Sequence, residues 1–203
     1  MEADQDSGAG GDAAAGAELR AVILVEGVSD RSALEVLARR RGRDLAGEGV
    51  RIVAMDGATN IGHFLDRYGP QGLGVDVAGL YDIAEERFFR RGLERAGFGP
   101  GLSRAGMEGF GFFVCSADLE DELIRAVGAE EVVRIVESEG GARSFRTLQR
   151  QPALREWSLH DQLRRMMSGR SGGKDRYARL MTGAVDLDRV PPPLDAVLEY
   201  VKK

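Results

Sequence analysis

Two hydrophobic rhythms alternate along the first two thirds of the chain. Short apolar runs occur at 21–25 (AVILV), 50–55 (VRIVAM), 75–81 (VDVAGLY) and 110–116 (FGFFVCS). Each has the length of a strand, not of a buried helix. Between them the apolar positions return every three or four residues, as Ala33, Leu34, Leu37 and Ala38 do within 29–41. That spacing predicts helices over 29–41, 59–68, 85–96 and 118–127. Strand and helix in strict alternation predict an α/β fold, a parallel sheet covered on both faces and joined by right-handed crossovers. From residue 129 onward the strand rhythm stops. Helices are expected at 130–138, 154–167, 176–181 and 194–201. Gly140-Gly141, Pro152, the stretch 168–173 and Pro191-Pro192-Pro193 punctuate them. Residues 1–18 offer almost nothing to bury and read as a disordered acidic tail. The predicted organisation is this tail, an α/β domain over 19–128 and a helical C-terminal extension over 129–203.

Composition narrows the class. The chain has 203 residues, 43% hydrophobic and 30% charged, enough to build a core without staples. No apolar run approaches the roughly 20 residues that span a bilayer, and the N-terminus lacks the pattern of a secretory leader. A single cysteine, Cys115, excludes a disulfide framework or a zinc-finger pattern and reads as core. A cytoplasmic protein without membrane association is expected. The net charge of −5 is unevenly spread. Residues 1–18 hold five acids and no base, whereas 141–180 hold ten bases and three acids. An acidic protein can thereby carry a basic face.

The acids fall where an open parallel sheet places its chemistry, beyond the carboxyl ends of the strands. Glu26 ends the first strand and Asp30 opens the next helix, after a Ser29 cap. Asp56 ends the second strand, and Asp82 the third, ahead of Glu85 and Glu86. Asp118, Glu120 and Asp121 follow the fourth. Acids at helix N-termini are also favoured by the helix dipole alone, by about 0.3–1 kcal/mol. Strand ends differ, because a buried unpaired charge is costly there. Oxygen ligands without His or Cys suit Mg²⁺, Mn²⁺ or Ca²⁺.

Four segments in order, VEGVSDRSALEVLA (25–38), MDGATNI (55–61), GLYDIAEE (79–86) and CSADLEDELIRAVG (115–128), resemble the TOPRIM domain of the OLD (overcoming lysogenization defect) family. SGGKDRY (171–177) resembles a later basic motif. The resemblance implies a Rossmann-like three-layer TOPRIM fold and metal-dependent phosphodiester cleavage or nucleotidyl transfer on DNA, with Mg²⁺ or Mn²⁺. It implies Glu26, Asp30, Asp82 and Glu120 as metal ligands, with Glu26 as ligand or base, and Lys174 at the scissile phosphate. The family's second motif is Asp-x-Asp; here it reads Asp82-Ile83-Ala84, and Glu85 is the nearest substitute. OLD proteins also carry an ATPase. SGRSGGKD is not a Walker loop, so a partner ATPase would be a separate protein. For Glu26 and Asp82 to meet one ion, the first and third strands must be neighbours, which predicts about four parallel strands in the order 2-1-3-4.

Phosphate contacts would come from basic side chains, with Arg164, Arg165, Arg170, Lys174 and Arg176 foremost, and Arg143, Arg146 and Arg150 nearby. Arg39, Arg40 and Arg41 read first as a favourable helix C-terminus. His63 and His160 have no partners at ligand spacing. Trp157, at helical spacing from Leu154, reads as packing, and Asn60 as a phosphate contact or a turn residue. Three functions stand on this sequence. One is a metal-dependent TOPRIM enzyme. Another is a non-catalytic TOPRIM-like module that binds metal, nucleotide or a partner ATPase. The third is a receiver-like domain with Asp82 as phosphoacceptor.

Overall fold

The structure, a computed structural model, describes residues 17–168 and 173–202. The expected tail lies outside the described residues except for its last two positions, and Arg170 lies outside them as well.

Four strands, β1 (Ala21–Val25), β2 (Val50–Ala54), β3 (Asp76–Asp82) and β4 (Phe112–Cys115), form one all-parallel sheet in the order β2-β1-β3-β4. The expected order 2-1-3-4 is therefore the observed one. Every residue of β1 is fully buried, as a central strand covered on both faces must be. Its odd and even positions serve different cores, because side chains alternate across a strand.

Val22 and Leu24 pack with α2 (Ile61–Tyr68), α3 (Glu86–Arg95) and α4 (Arg104–Gly109), around Phe89, Leu93, Met107 and Phe112. Ala21, Ile23 and Val25 face α1 (Val28–Arg40), α5 (Leu119–Val127) and α6 (Ala129–Ser138). The same core takes in α7 (Ala142–Gln149), α8 (Leu159–Met167), α9 (Gly173–Ala184) and α10 (Pro192–Tyr200). The C-terminal helices thus complete the core on one face of the sheet. Among the described residues no helix is long and apolar enough to cross a membrane.

Close approach of the central strands depends on Gly79. A Cβ there would fall 2.7 Å from the Phe112 ring and 3.0 Å from the Leu24 carbonyl.

Several local expectations change. The α1 cap is Gly27, not Ser29: Asp30 reaches back and accepts a hydrogen bond from the Gly27 amide at 2.8 Å. A carboxylate at the third helical position does the work a capping serine would do from outside. Helices α4 and α7 are additional to the expected set. Both are short, six and eight residues, and each buries a single large side chain, Met107 and Phe145. The expected helix 154–167 is broken into a 3₁₀ turn at Pro152–Leu154 and α8, with Ser158 capping α8 by accepting from the Asp161 amide. Trp157 falls in the break and is 46% exposed, so it is not a packing residue. Lys174, expected in a turn, lies in the first turn of α9.

The basic run after α1 acts as a clamp. Arg40 donates to the carbonyls of Thr182 (2.8 Å) and Val185 (2.6 Å), and Arg41 pairs with Asp195 at 2.7 Å. Arg43 donates to the Leu198 carbonyl and Arg20 to that of Val201. These arginines fasten the final helices to the sheet by satisfying carbonyls at helix ends.

Candidate metal and phosphate site

The carboxyl ends of the strands open into one cavity of about 620 Å³. Its acidic lining is Glu26, Asp30, Asp56, Asp82, Glu120 and Asp175; Lys174 is its cation. Glu26 directly follows β1 and Asp82 is the last residue of β3, and these strands are hydrogen-bonded neighbours. Asp30 is fixed by its bond to the Gly27 amide. Asp56 occupies a turn after β2 with φ of 56°, a left-handed conformation that aspartate tolerates better than most side chains. That turn is pinned by the Gly57 amide donating to the Glu26 carbonyl and by Asn60 Nδ2 donating to the Met55 carbonyl at 2.8 Å. Asn60 is therefore a turn residue.

The β4–α5 connection sorts its acids by role. Asp118 caps α5 by accepting from the Asp121 amide and pairs with Arg164 at 2.7 Å. Asp121 is bound by Arg125 and by His160, the latter at 2.7 Å, which gives His160 a structural partner. Glu122 accepts from the Ser116 amide and pairs with Arg125. Glu120 alone in this group turns into the cavity. It is 3% exposed, and its nearest cation is Lys174, at 3.5 Å.

The electrostatics of the cavity are frustrated. Burial pushes the Asp82 carboxyl up to about 8, reinforced by the negative charges of Asp30, Glu26, Asp118 and Glu120. Burial pushes Asp30 up to about 7; its bond from Gly27 opposes this, and Glu120 and Glu26 add to it. Glu26 is raised by burial and by the neighbouring Glu85 and Glu120, against the pull of Lys174. Glu120 is raised by burial and held back by Lys174. Glu85 thus stands close enough to act on Glu26, although it is not part of the cavity lining. Ala84, where the TOPRIM pattern has its second aspartate, is exposed and offers no donor.

The donor set fits a hard divalent cation. Two carboxylate oxygens, Glu26 Oε2 and Glu120 Oε1, are buried without a hydrogen-bond partner among the described residues. Buried polar atoms are rarely left so, and these two belong to the same acidic cavity. Among the described residues no three acidic, His or Cys side chains stand close enough to clasp a bare ion.

The basic residues expected to touch nucleic acid divide. Arg164 is committed to Asp118, and Arg176 to Glu139. Arg165 is exposed and has no ion pair among the described residues. With Arg143 it lines a second cavity of about 520 Å³ that contains no carboxylate.

Comparison with known proteins agrees with this picture. Residues 19–83 match the family described as overcoming lysogenization defect protein-like, TOPRIM domain. The fold is similar to the C-terminal region of the Burkholderia pseudomallei OLD protein, with a TM-score of 0.69 and 22% identity over 91% of this chain and 97% of that one. It is also similar to the C-terminal region of the Xanthomonas campestris pv. campestris OLD protein, with a TM-score of 0.69 and 25% identity over 91% and 92% of the two chains. None of the curated proteins matches the sequence.

Proposed function

Starting from the match of residues 19–83 to the OLD-like TOPRIM domain, we propose that the chain is a Mg²⁺- or Mn²⁺-dependent enzyme that hydrolyses phosphodiesters, or transfers nucleotidyl groups, on DNA. The observation that carries this reading is the pair of orphaned buried oxygens on Glu26 and Glu120, in a cavity shared with Asp30, Asp82 and Lys174. A cavity with this excess of acid would repel a phosphate by itself. With a dication it becomes an attractive site, and the ion when bound would polarise the phosphate and lower the pKa of a coordinated water.

The chain's own residues supply the rest. Asp30, Asp82 and Glu120 would hold the hydrated ion, one or two of them directly and the rest through its waters, with Glu26 as a further ligand or as the group that takes a proton from the attacking water. Its raised pKa brings it nearer the range of an effective base. Lys174, half exposed at the rim, meets a non-bridging phosphate oxygen. Glu85 adds negative potential beside Glu26 in place of the missing second aspartate. The family reading also brings an ATPase partner, and the single cysteine supports a cytoplasmic location.

Ala84 favours a second reading, a non-catalytic module that binds metal, nucleotide or a partner ATPase. Incubation of supercoiled plasmid with the protein and Mg²⁺ or Mn²⁺, beside Glu26→Gln and Asp82→Asn, separates the two. The enzyme reading expects nicking that both variants lose. Mg²⁺ binding without nicking selects the module, and nicking that survives in both variants overturns the site.

A further inference from the structure

A hollow of about 240 Å³ lies along α8, lined by Trp157, Arg164, Arg165, Ser168, Asp118 and Asp161. Ser168 also lines the acidic cavity, and Arg165 also lines the basic one. The hollow therefore lies next to both, sharing one lining residue with each.

Its polar groups are mostly spoken for. Arg164 and Asp118 satisfy each other, and Asp161 is bonded to the Ser158 hydroxyl at 2.6 Å. Among the described residues, what remains free is an indole face and one guanidinium. Trp157 is 46% exposed, in the chain break ahead of α8. Its backbone is fixed there: its amide donates to the Leu154 carbonyl, and its own carbonyl accepts from Gln162, a buried side chain that also bonds the Leu154 carbonyl at 2.9 Å. An exposed indole on a rigid backbone offers a stacking surface at little entropic cost. Aromatic faces of this kind bind unpaired bases irrespective of sequence, and an adjacent arginine takes the phosphate.

We propose that Trp157 stacks an unpaired base of the DNA strand being processed, and that Arg165 binds that nucleotide's phosphate, so that the substrate is single-stranded or locally unpaired beside the acidic cavity. This rests on the DNA reading given above and adds a substrate class to it. A paired base in a continuous duplex keeps its faces stacked on its neighbours and cannot lie on the indole.

Trp157 is the sole tryptophan of the chain, so its emission reports on this position alone. The experiment titrates the full chain, in Ca²⁺, with a short single-stranded oligodeoxynucleotide and with the matching blunt duplex, reading tryptophan fluorescence and the anisotropy of labelled DNA together. Quenching by the single strand and not by the duplex is expected. Trp157→Ala should weaken single-strand binding about fivefold or more, and Trp157→Phe should restore most of it. Arg165→Ala should lower the slope of log affinity against log salt by about 0.7. Equal quenching by duplex, binding without quenching, or no binding to either DNA each overturns the proposal. Plasmid nicking by wild type and Glu26→Gln, run alongside, reports on the metal chemistry independently. Nicking with an unquenched indole removes only the stacking site, and quenching without nicking removes only the enzymatic reading.

Discussion

Lys174 Nζ lies 3.5 Å from Glu120 Oε2, joining the first turn of α9 to the first turn of α5 across 54 positions of sequence. The carboxylate is almost wholly buried and the ammonium half exposed. The lysine thus leans over the acidic cavity from its rim, where an incoming phosphate would meet it before reaching the acids.

Lys174→Met should therefore separate chemistry from metal binding. Loss of a charged donor aimed at a reacting oxygen typically costs about 10²–10³ in turnover. Nicking should fall by that order. Mg²⁺ affinity, measured by calorimetry, should not fall, because the substitution removes a cation that competes for the same carboxylates.

The crowded carboxylates predict an unusual dependence on pH. Asp82 is held up to about 8 and Asp30 up to about 7 in the folded protein, against about 4 in an unfolded chain. A carboxyl raised on folding contributes stability below its unfolded pKa and loses it as pH rises through the folded value. The metal-free protein should thus melt at progressively lower temperature between about pH 4 and pH 8. Mg²⁺ should restore most of the loss at the upper end, and its binding should strengthen with pH and release protons. Asp82→Asn should flatten the melting curve against pH and abolish most of the Mg²⁺ effect. Thermal melts across pH, with and without Mg²⁺, measure both.

Position 84 offers a gain-of-function test. Ala84 is exposed and two residues beyond Asp82, so Ala84→Asp restores the Asp-x-Asp spacing without disturbing packing. Tighter Mg²⁺ binding and faster nicking are expected, and Glu85→Gln should matter less in that background than in wild type. If Ala84→Asp leaves both measurements unchanged, the cavity does not use a carboxylate from this turn.

A structural prediction concerns Arg40. Its guanidinium satisfies the carbonyls of Thr182 and Val185, and each buried acceptor left open costs about 1–3 kcal/mol. At about 2–4 °C per kcal/mol for a chain of this size, Arg40→Ala should lower the melting temperature by several degrees. DNA binding per folded molecule should be unchanged, which would separate this arginine from the phosphate contacts.

The sheet was legible because its strands are short, largely apolar runs with an acid at, or within three residues of, each carboxyl end. Strand order followed from one chemical demand, that Glu26 and Asp82 share an ion, and β1 and β3 are indeed neighbours. Glu26, Asp30, Asp82, Glu120 and Lys174 do face one cavity. The residues around them were less readable. Nothing in LEDE reveals that Glu120 enters the cavity while Glu122 turns to the Ser116 amide, because both are buried near the start of the same helix. Within the run Arg39 to Arg41, which reads as a favourable helix C-terminus, Arg40 and Arg41 reveal their role only when the segments they clamp arrive some 140 residues later. Trp157 was misplaced because the Leu154–Trp157 spacing mimics a helix that Ser158 restarts.

The sheet face bearing Ala21, Ile23 and Val25 is roofed by side chains that include Met181, Leu194, Val197 and Leu198, and the lysine at the acidic rim comes from that same late stretch. A ribosome must deliver the chain as far as α10 before this face, begun by α1, has its full ceiling. A fragment stopped at residue 128 would hold most of the acids and keep α1 and α5 on this face, yet it would lose the cover that α9 and α10 add, and would aggregate before it was inactive.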